Sequence, residues 1–141
     1  MKKTKMKITL DEGAIMPTRA HEDDAGLDLY AREDATIKPR GHAVFDTGVH
    51  IALPSGTVGI LMSKSGLNVV CGLTSEGVID EGYTGSIVVK LYNNSDATHY
   101  IKAGQKITQL LVLPCLKPEL ELVNSLVETE RGDNGFGSTG K

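Results

Sequence analysis

Three observations predict an all-β fold. Short runs of the chain alternate apolar and polar residues, the period of a half-buried strand. Sixteen glycines and five prolines cut the chain at close intervals. No stretch holds apolar residues at i, i+3, i+4 and i+7 for three helical turns without a glycine or proline intervening. The expectation is a single domain of roughly ten or more short strands, Greek-key-like or a distorted jelly roll. At 141 residues the chain is long enough for one domain with its own core.

Taken in order, Lys7–Leu10 reads as the first strand, preceded by a basic start from Lys2 that is tail or strand. Pro17 and Thr18 open an irregular segment, and His21–Asp24 is polar. In Ala25–Ala31, Leu27 and Leu29 point one way and Asp28 and Tyr30 the other. Asp28 is then either a solvent-facing strand residue or a carboxylate facing a shared polar cavity. Thr36–Ile37 and Ala43–Asp46 read as short strands around Pro39-Arg40-Gly41. Val49–Leu53 is a strand stopped by Pro54-Ser55-Gly56, and Thr57–Met62 is the next. Its end delivers Ser63-Lys64-Ser65-Gly66-Leu67, where hydroxyls, an ammonium and turn N–H groups suit either a phosphate nest or an ordinary serine-rich turn. A helical turn after Gly66 and an apolar Asn68–Leu73 burying an inert Cys71 complete this region.

The chain is organised around Gly77-Val78-Ile79-Asp80-Glu81-Gly82-Tyr83-Thr84-Gly85. It reads as strand, tight turn and strand, a hairpin with Asp80 at the bend. A carboxylate held there suits a general base and equally an ordinary turn residue. In Ser86–Tyr92, Ile87, Val89 and Leu91 share one face and Val88, Lys90 and Tyr92 the other. Thr98–Ile101 follows. Lys106–Leu113 is the longest strand, apolar on both faces except for Gln109, whose amide requires partners if buried. Glu119–Val123 is read as one more strand. Arg131–Lys141 is rich in glycine with little to bury, which is the composition of a flexible tail. Its Arg131 and Phe136 also fit a segment that folds over a phosphorylated aromatic ligand. It is not a Walker A loop, since the Gly-Lys-Ser/Thr ending is absent.

A formal charge of −3 argues against direct nucleic-acid binding while allowing a small phosphorylated ligand. Two cysteines without a CxxC pair make a disulfide framework or structural zinc an unsuitable reading. The basic start lacks the apolar core of a secretory signal, and no run reaches transmembrane length, so a cytoplasmic, soluble protein with no membrane partner is expected.

Five stretches resemble, in order and spacing, the five motifs of the homotrimeric dUTP diphosphatases (dUTPases). They are Ala25–Leu29, Ser63–Leu67, Gly77–Gly85, Gly104–Leu110 and Arg131–Gly140, spanning nearly the whole chain. The resemblance implies a jelly-roll core over residues 1–124 and an arm over 125–141 that closes on a neighbouring subunit. Each active site of the homotrimer would be shared among subunits. The implied reaction is hydrolysis of dUTP to dUMP and pyrophosphate, which limits uracil incorporation into DNA and supplies dUMP for dTMP synthesis.

By the same resemblance, Asp80 would activate water for attack on the α-phosphorus. Asp28 would stand near a Mg²⁺ carried by the triphosphate, holding its waters rather than the ion. Lys64, Ser65, Gly66 and Gln109 would contact the phosphates, and Arg131, Gly137, Ser138 and Thr139 would close over them. Gly77, Val78 and Ile79 would read the uracil edge, Tyr83 would pack under the deoxyribose, and Phe136 would stack on the base. Three departures stand out: Lys64 where arginine is more common, Leu27 where an aromatic is common, and Glu81-Gly82 where a small residue and an aspartate are usual. Lys64 keeps the charge without the bidentate fork, and Glu81 brings a carboxylate close to Asp80. Two alternatives share this fold: a dCTP deaminase-like enzyme using a glutamate base, and a non-catalytic binding or regulatory module.

Overall fold

The computed structural model describes residues 4–140; Lys2 and Lys3 of the basic start, and the last residue of the arm, lie outside them. Eleven strands and one helix follow in order. The strands are β1 (Lys7–Leu10), β2 (Leu27–Tyr30), β3 (Ala35–Ile37), β4 (His42–Asp46), β5 (Val49–Ala52), β6 (Thr57–Met62), β7 (Leu73–Thr74), β8 (Glu76–Ile79), β9 (Val88–Asn93), β10 (His99–Ile101) and β11 (Lys106–Pro114), with α1 (Ser65–Cys71) between β6 and β7. A four-stranded sheet runs β2-β11-β6-β8 and a three-stranded one β4-β9-β7, with two-stranded ribbons β1-β5 and β3-β10 beside them. All these pairings are antiparallel. The architecture is the predicted all-β, jelly-roll type.

Alternation in the sequence sets which side of each strand is buried. In β9, Val89 and Leu91 are sealed in the core while Val88 and Tyr92 face outward. Ile87, just before β9, continues the buried face. Leu29, Leu61, Ile79, Ile107 and Leu110 from the larger sheet join Phe45, Leu73, Val89 and Leu91 from the smaller one in a single apolar cluster. Removing such side chains from water is the main force closing one sheet over the other.

β11 breaks its own alternation. The register shifts between Lys106 and Thr108, so Ile107 and Thr108 are both fully buried. A bulge inserts one residue and reverses the parity of what precedes it. Lys106 and Gln109, three apart and therefore on opposite faces of a regular strand, end up lining the same cleft.

Three local readings change. The stretch around Asp80 is not a paired hairpin: β8 bonds to β6, while β9 bonds to β4 and β7. The turn therefore bridges two sheets. β3 and β4, the short strands read around Pro39-Arg40-Gly41, are present and pair with β10 and β9. The turn after Gly66 extends into a seven-residue helix, ended by Gly72 in the left-handed region (φ 69°). Leu67 and Cys71, one turn apart, pack against the core, while Val69 and Val70 point outward, so Cys71 is half-buried on a helix face rather than sealed in the core. Finally, Glu119–Val123 forms no strand; residues 115–140 hold neither strand nor helix. Leu120 and Leu122 are more than nine-tenths exposed, and among the described residues the segment pairs with no strand. No helix among the described residues is long and apolar enough to cross a membrane.

Candidate active site

The five motif stretches sort into two separate clefts and a detached arm. The first cleft, of about 290 Å³, lies at the ends of β2 and β11 and the start of α1. Asp28, Lys64, Ser65 and Gln109 line it together with Gly26, Asp24 and Lys106. β2 and β11 place Asp28 directly opposite Gln109, and Ser63 at the end of β6 turns the chain so that Lys64 reaches back over Asp28.

Asp28 is the buried charge of this cleft, 4% exposed. One of its oxygens accepts from Lys64 Nζ, and the other pairs with Lys106 Nζ at 3.0 Å. Burial pushes its carboxyl up, but the hydrogen bonds and charges of the two ammonium groups outweigh that, and the group lies below the usual carboxylate range. The same bond to Asp28 raises Lys106 above the usual lysine value. Asp28 is thus neither solvent-facing nor alone: it faces a polar cavity, as the counter-ion of two lysines. Gln109 Nε2 donates to the Ser63 carbonyl at 3.0 Å, which supplies the partner its amide requires. The amide packs so closely over Gly26 that a Cβ there would collide with it.

The second cleft, of about 230 Å³, opens between β6, β8 and the segment leading into β9. Gly77, Val78, Ile79, Asp80 and Tyr83 line it with Leu61, Ser86, Ile87 and Val88. The Asp80 carbonyl accepts from Tyr83 N–H at 3.0 Å, closing a tight turn through Glu81 and Gly82. Gly82 sits at φ 90°, a conformation an L-residue adopts only with strain. The Asp80 side chain is exposed and takes no hydrogen bond or ion pair from the described residues, leaving both oxygens available to water. Glu81 is turned elsewhere. Its carboxylate accepts from Gly56 N–H at 3.1 Å and pairs with Lys117. It does not line the Asp80 cleft.

Arg131, Phe136, Gly137, Ser138 and Thr139 reach neither cleft. Arg131 Nε bonds only locally, to the Asn134 carbonyl at 2.9 Å. Phe136 is fully exposed. Gly66, next to Ser65, has open space around it. Lys106 is the cleft residue that sequence reasoning passed over. It stands inside the fourth motif stretch, but only the bulge in β11 reveals that it shares a cleft with Gln109.

The donor set permits one kind of metal binding. No three His, Cys, Asp or Glu side chains converge among the described residues, so no protein cage for an ion exists there. The Asp28 oxygens retain acceptor sites beyond those used by the lysines. They fit a Mg²⁺ that arrives on phosphates and keeps its own waters.

The sequence model of the dUTPase family matches residues 12–140. The deoxyuridine 5'-triphosphate nucleotidohydrolase of Clostridium tetani is 42% identical over 140 residues, covering 97% of this chain and 96% of that protein. The Clostridium novyi enzyme of the same name is 43% identical over 141 residues, covering 96% and 99%. Among solved structures, the Staphylococcus bacteriophage 80alpha dUTPase with dUpNHpp superposes with a TM-score of 0.92 at 30% identity, covering 99% of this chain and all of that one. A mutant dUTPase from phage phi11, which shows the coordination of a structural Mg(II) ion, gives 0.82 at 30% identity and covers 89% of this chain. Matched along nearly its full length in sequence and in fold, the chain belongs to the dUTPase family, enzymes that hydrolyse dUTP.

Proposed function

We propose that this chain hydrolyses dUTP to dUMP and pyrophosphate at sites assembled from more than one subunit of a homotrimer. The observation that carries this reading is the separation of the motif residues within one chain. The phosphate-side cleft of Asp28, Lys64, Lys106 and Gln109 and the Asp80–Tyr83 cleft share no lining residue, and no described residue of the arm lines either. One chain alone offers a base without phosphate ligands and phosphate ligands without a base. Joining the clefts of neighbouring subunits supplies both.

In the assembled site Asp80 accepts a proton from water as its oxygen attacks the α-phosphorus. The bond from that phosphorus to the oxygen bridging it to the β-phosphorus breaks, and pyrophosphate leaves. Among the described residues none hydrogen-bonds the Asp80 carboxylate, which leaves it ready to orient the nucleophile. Lys64 and Lys106 project positive charge towards the phosphates while Asp28 fixes where their ammonium groups sit. Gln109 is held by Ser63 and adds an amide to the α-phosphate region. Asp28 would accept from the waters of a Mg²⁺ carried on the triphosphate, and that ion, when bound, would help neutralise the leaving diphosphate. The Gly77–Ile79 backbone reads the uracil edge, Tyr83 underlies the sugar, and Arg131, Gly137, Ser138, Thr139 and Phe136 close over the nucleotide. Ordering the arm costs backbone entropy, which these contacts offset.

The test is pyrophosphate release with dUTP, dCTP, dTTP and UTP, using Asp80→Asn (D80N) and Lys64→Met/Lys106→Met variants separately and co-refolded. The expected result is dUTP preference, loss of turnover in each variant alone, and recovery on mixing. Recovery requires that one subunit lend Asp80 and another the lysines. Full loss in the mixture would place both clefts' contributions in one chain and refute the shared site.

A further inference from the structure

The segment that carries Tyr83 is held from outside the five motif stretches. Tyr83 Oη donates to the Ser86 carbonyl at 3.0 Å, and the ring lies so close over Gly85 that a side chain at 85 would displace it. The position of the ring therefore depends on where Ser86 is fixed. Ser86 Oγ donates to Asp46 Oδ1 at the end of β4. Gly48 N–H donates to both Asp46 Oδ1 and Ser86 Oγ, each at 3.0 Å, so the three groups form a closed triangle. Arg32 braces Asp46 from behind: Nε donates to the Asp46 carbonyl at 3.2 Å and Nη2 lies 3.5 Å from its carboxylate.

The neighbouring residues repeat the attachment. Thr47 Oγ1 donates to the Ile87 carbonyl at 2.6 Å, and His50 Nδ1 bonds the Thr84 carbonyl at 2.7 Å. Residues 46–50 thus fasten 84–87 at three points: the Thr84 carbonyl, the Ser86 hydroxyl and the Ile87 carbonyl. Ser86 takes a double hold, through its hydroxyl below and through Tyr83 above.

We propose that Asp46 is a positioning residue for sugar discrimination: by fixing Ser86 it sets the height of the Tyr83 ring and hence the room left for a 2′-hydroxyl. This rests on the reading that Tyr83 underlies the deoxyribose. Asp46 lines neither the Asp80 cleft nor the phosphate-side cleft, so its effect is transmitted through Ser86. A ring released by a few tenths of an ångström admits the extra oxygen of a ribonucleotide without disturbing Asp80, which lies before the turn. Discrimination is lost more readily than turnover, because the close contact that rejects the wrong sugar contributes little to the right one.

The experiment compares kcat and KM for dUTP and UTP in the full-length protein and in Asp46→Ala, Asp46→Asn, Ser86→Ala and Tyr83→Ala. The expected result for Asp46→Ala is a dUTP-over-UTP preference in kcat/KM lowered about 10-fold, with kcat on dUTP within about 2-fold of the parent. Asp46→Asn keeps an acceptor oxygen for Ser86 and Gly48 and regains most of the preference. Ser86→Ala removes the hydroxyl but keeps the carbonyl that Tyr83 bonds; it lowers the preference too and carries the test if Asp46→Ala does not fold. An unchanged preference in both Asp46→Ala and Ser86→Ala, or an equal fall for both nucleotides, overturns the proposal. Tyr83→Ala separates the two layers: if it leaves the preference intact, the underlying sugar-pocket reading fails rather than the Asp46 link alone.

Discussion

Replacing Asp28 by alanine removes the single carboxylate between two ammonium groups, and the structure sets the size of the loss. The Asp28 side chain is 6% exposed, whereas those of Lys64 and Lys106 are 29% and 40% exposed. A hydrogen bond to a buried charge contributes about 1.5–3 kcal/mol. The lysines can turn their ammonium groups to water once the partner is gone, so roughly half of that is recovered by solvation. The net cost of losing both bonds is then about 2 kcal/mol, or roughly 4–10 °C in Tm for a chain of this size. Because the folded carboxyl lies below its unfolded value, its contribution is present in full above the unfolded value and disappears as pH falls through the folded one. Thermal melts of parent and Asp28→Ala at equal subunit concentration should be separated by a constant gap from neutral pH to about pH 5. That gap should close below about pH 4, where the parent carboxyl also protonates. Equal melting at pH 7, or a gap undiminished in acid, would refute the counter-ion role.

Two further outcomes follow from the same geometry. Phe136→Ala should leave Tm unchanged, since the residue is fully exposed. It should lower kcat/KM for dUTP by about 5- to 100-fold through lost base stacking, measured by steady-state kinetics; a lowered Tm with unchanged kinetics would make the ring structural. His50 bonds acceptors on both ring nitrogens, the Thr84 carbonyl and Asp11 at 3.1 Å, with Asp46 also nearby, and this favours imidazolium and raises its pKa above the usual histidine value. Its stabilisation should be full below about pH 6.5 and fade as pH rises through the raised folded value, so the Tm difference between parent and His50→Gln should shrink over that window. Parallel Tm profiles would show that the ring does not titrate with folding.

The strands were largely legible in the sequence because a strand half-buried on one face must alternate, as β1, β5, β6 and β9 do between glycine and proline breaks, while β11 stands out as a long apolar run. The motif stretches carry their spacing in the chain itself, so the candidate residues were also visible there. Tertiary structure decided what those residues meet. Partner choice among strands depends on pairing at long range, so the apparent hairpin around Asp80 divides between two sheets and Glu119–Val123 forms no strand. The shared cleft of Lys106 and Gln109 depends on a bulge that no periodicity announces. Nor does sequence tell a solvent-facing aspartate from one buried between two lysines, because the lysines come from β11 and from the turn after β6. Glu81 adjoins Asp80 in the chain, yet its carboxylate is drawn to Lys117 and the Gly56 N–H. Local pattern fixes which face of a strand is apolar; which charges come together is settled by packing, where the balance of burial and pairing is struck.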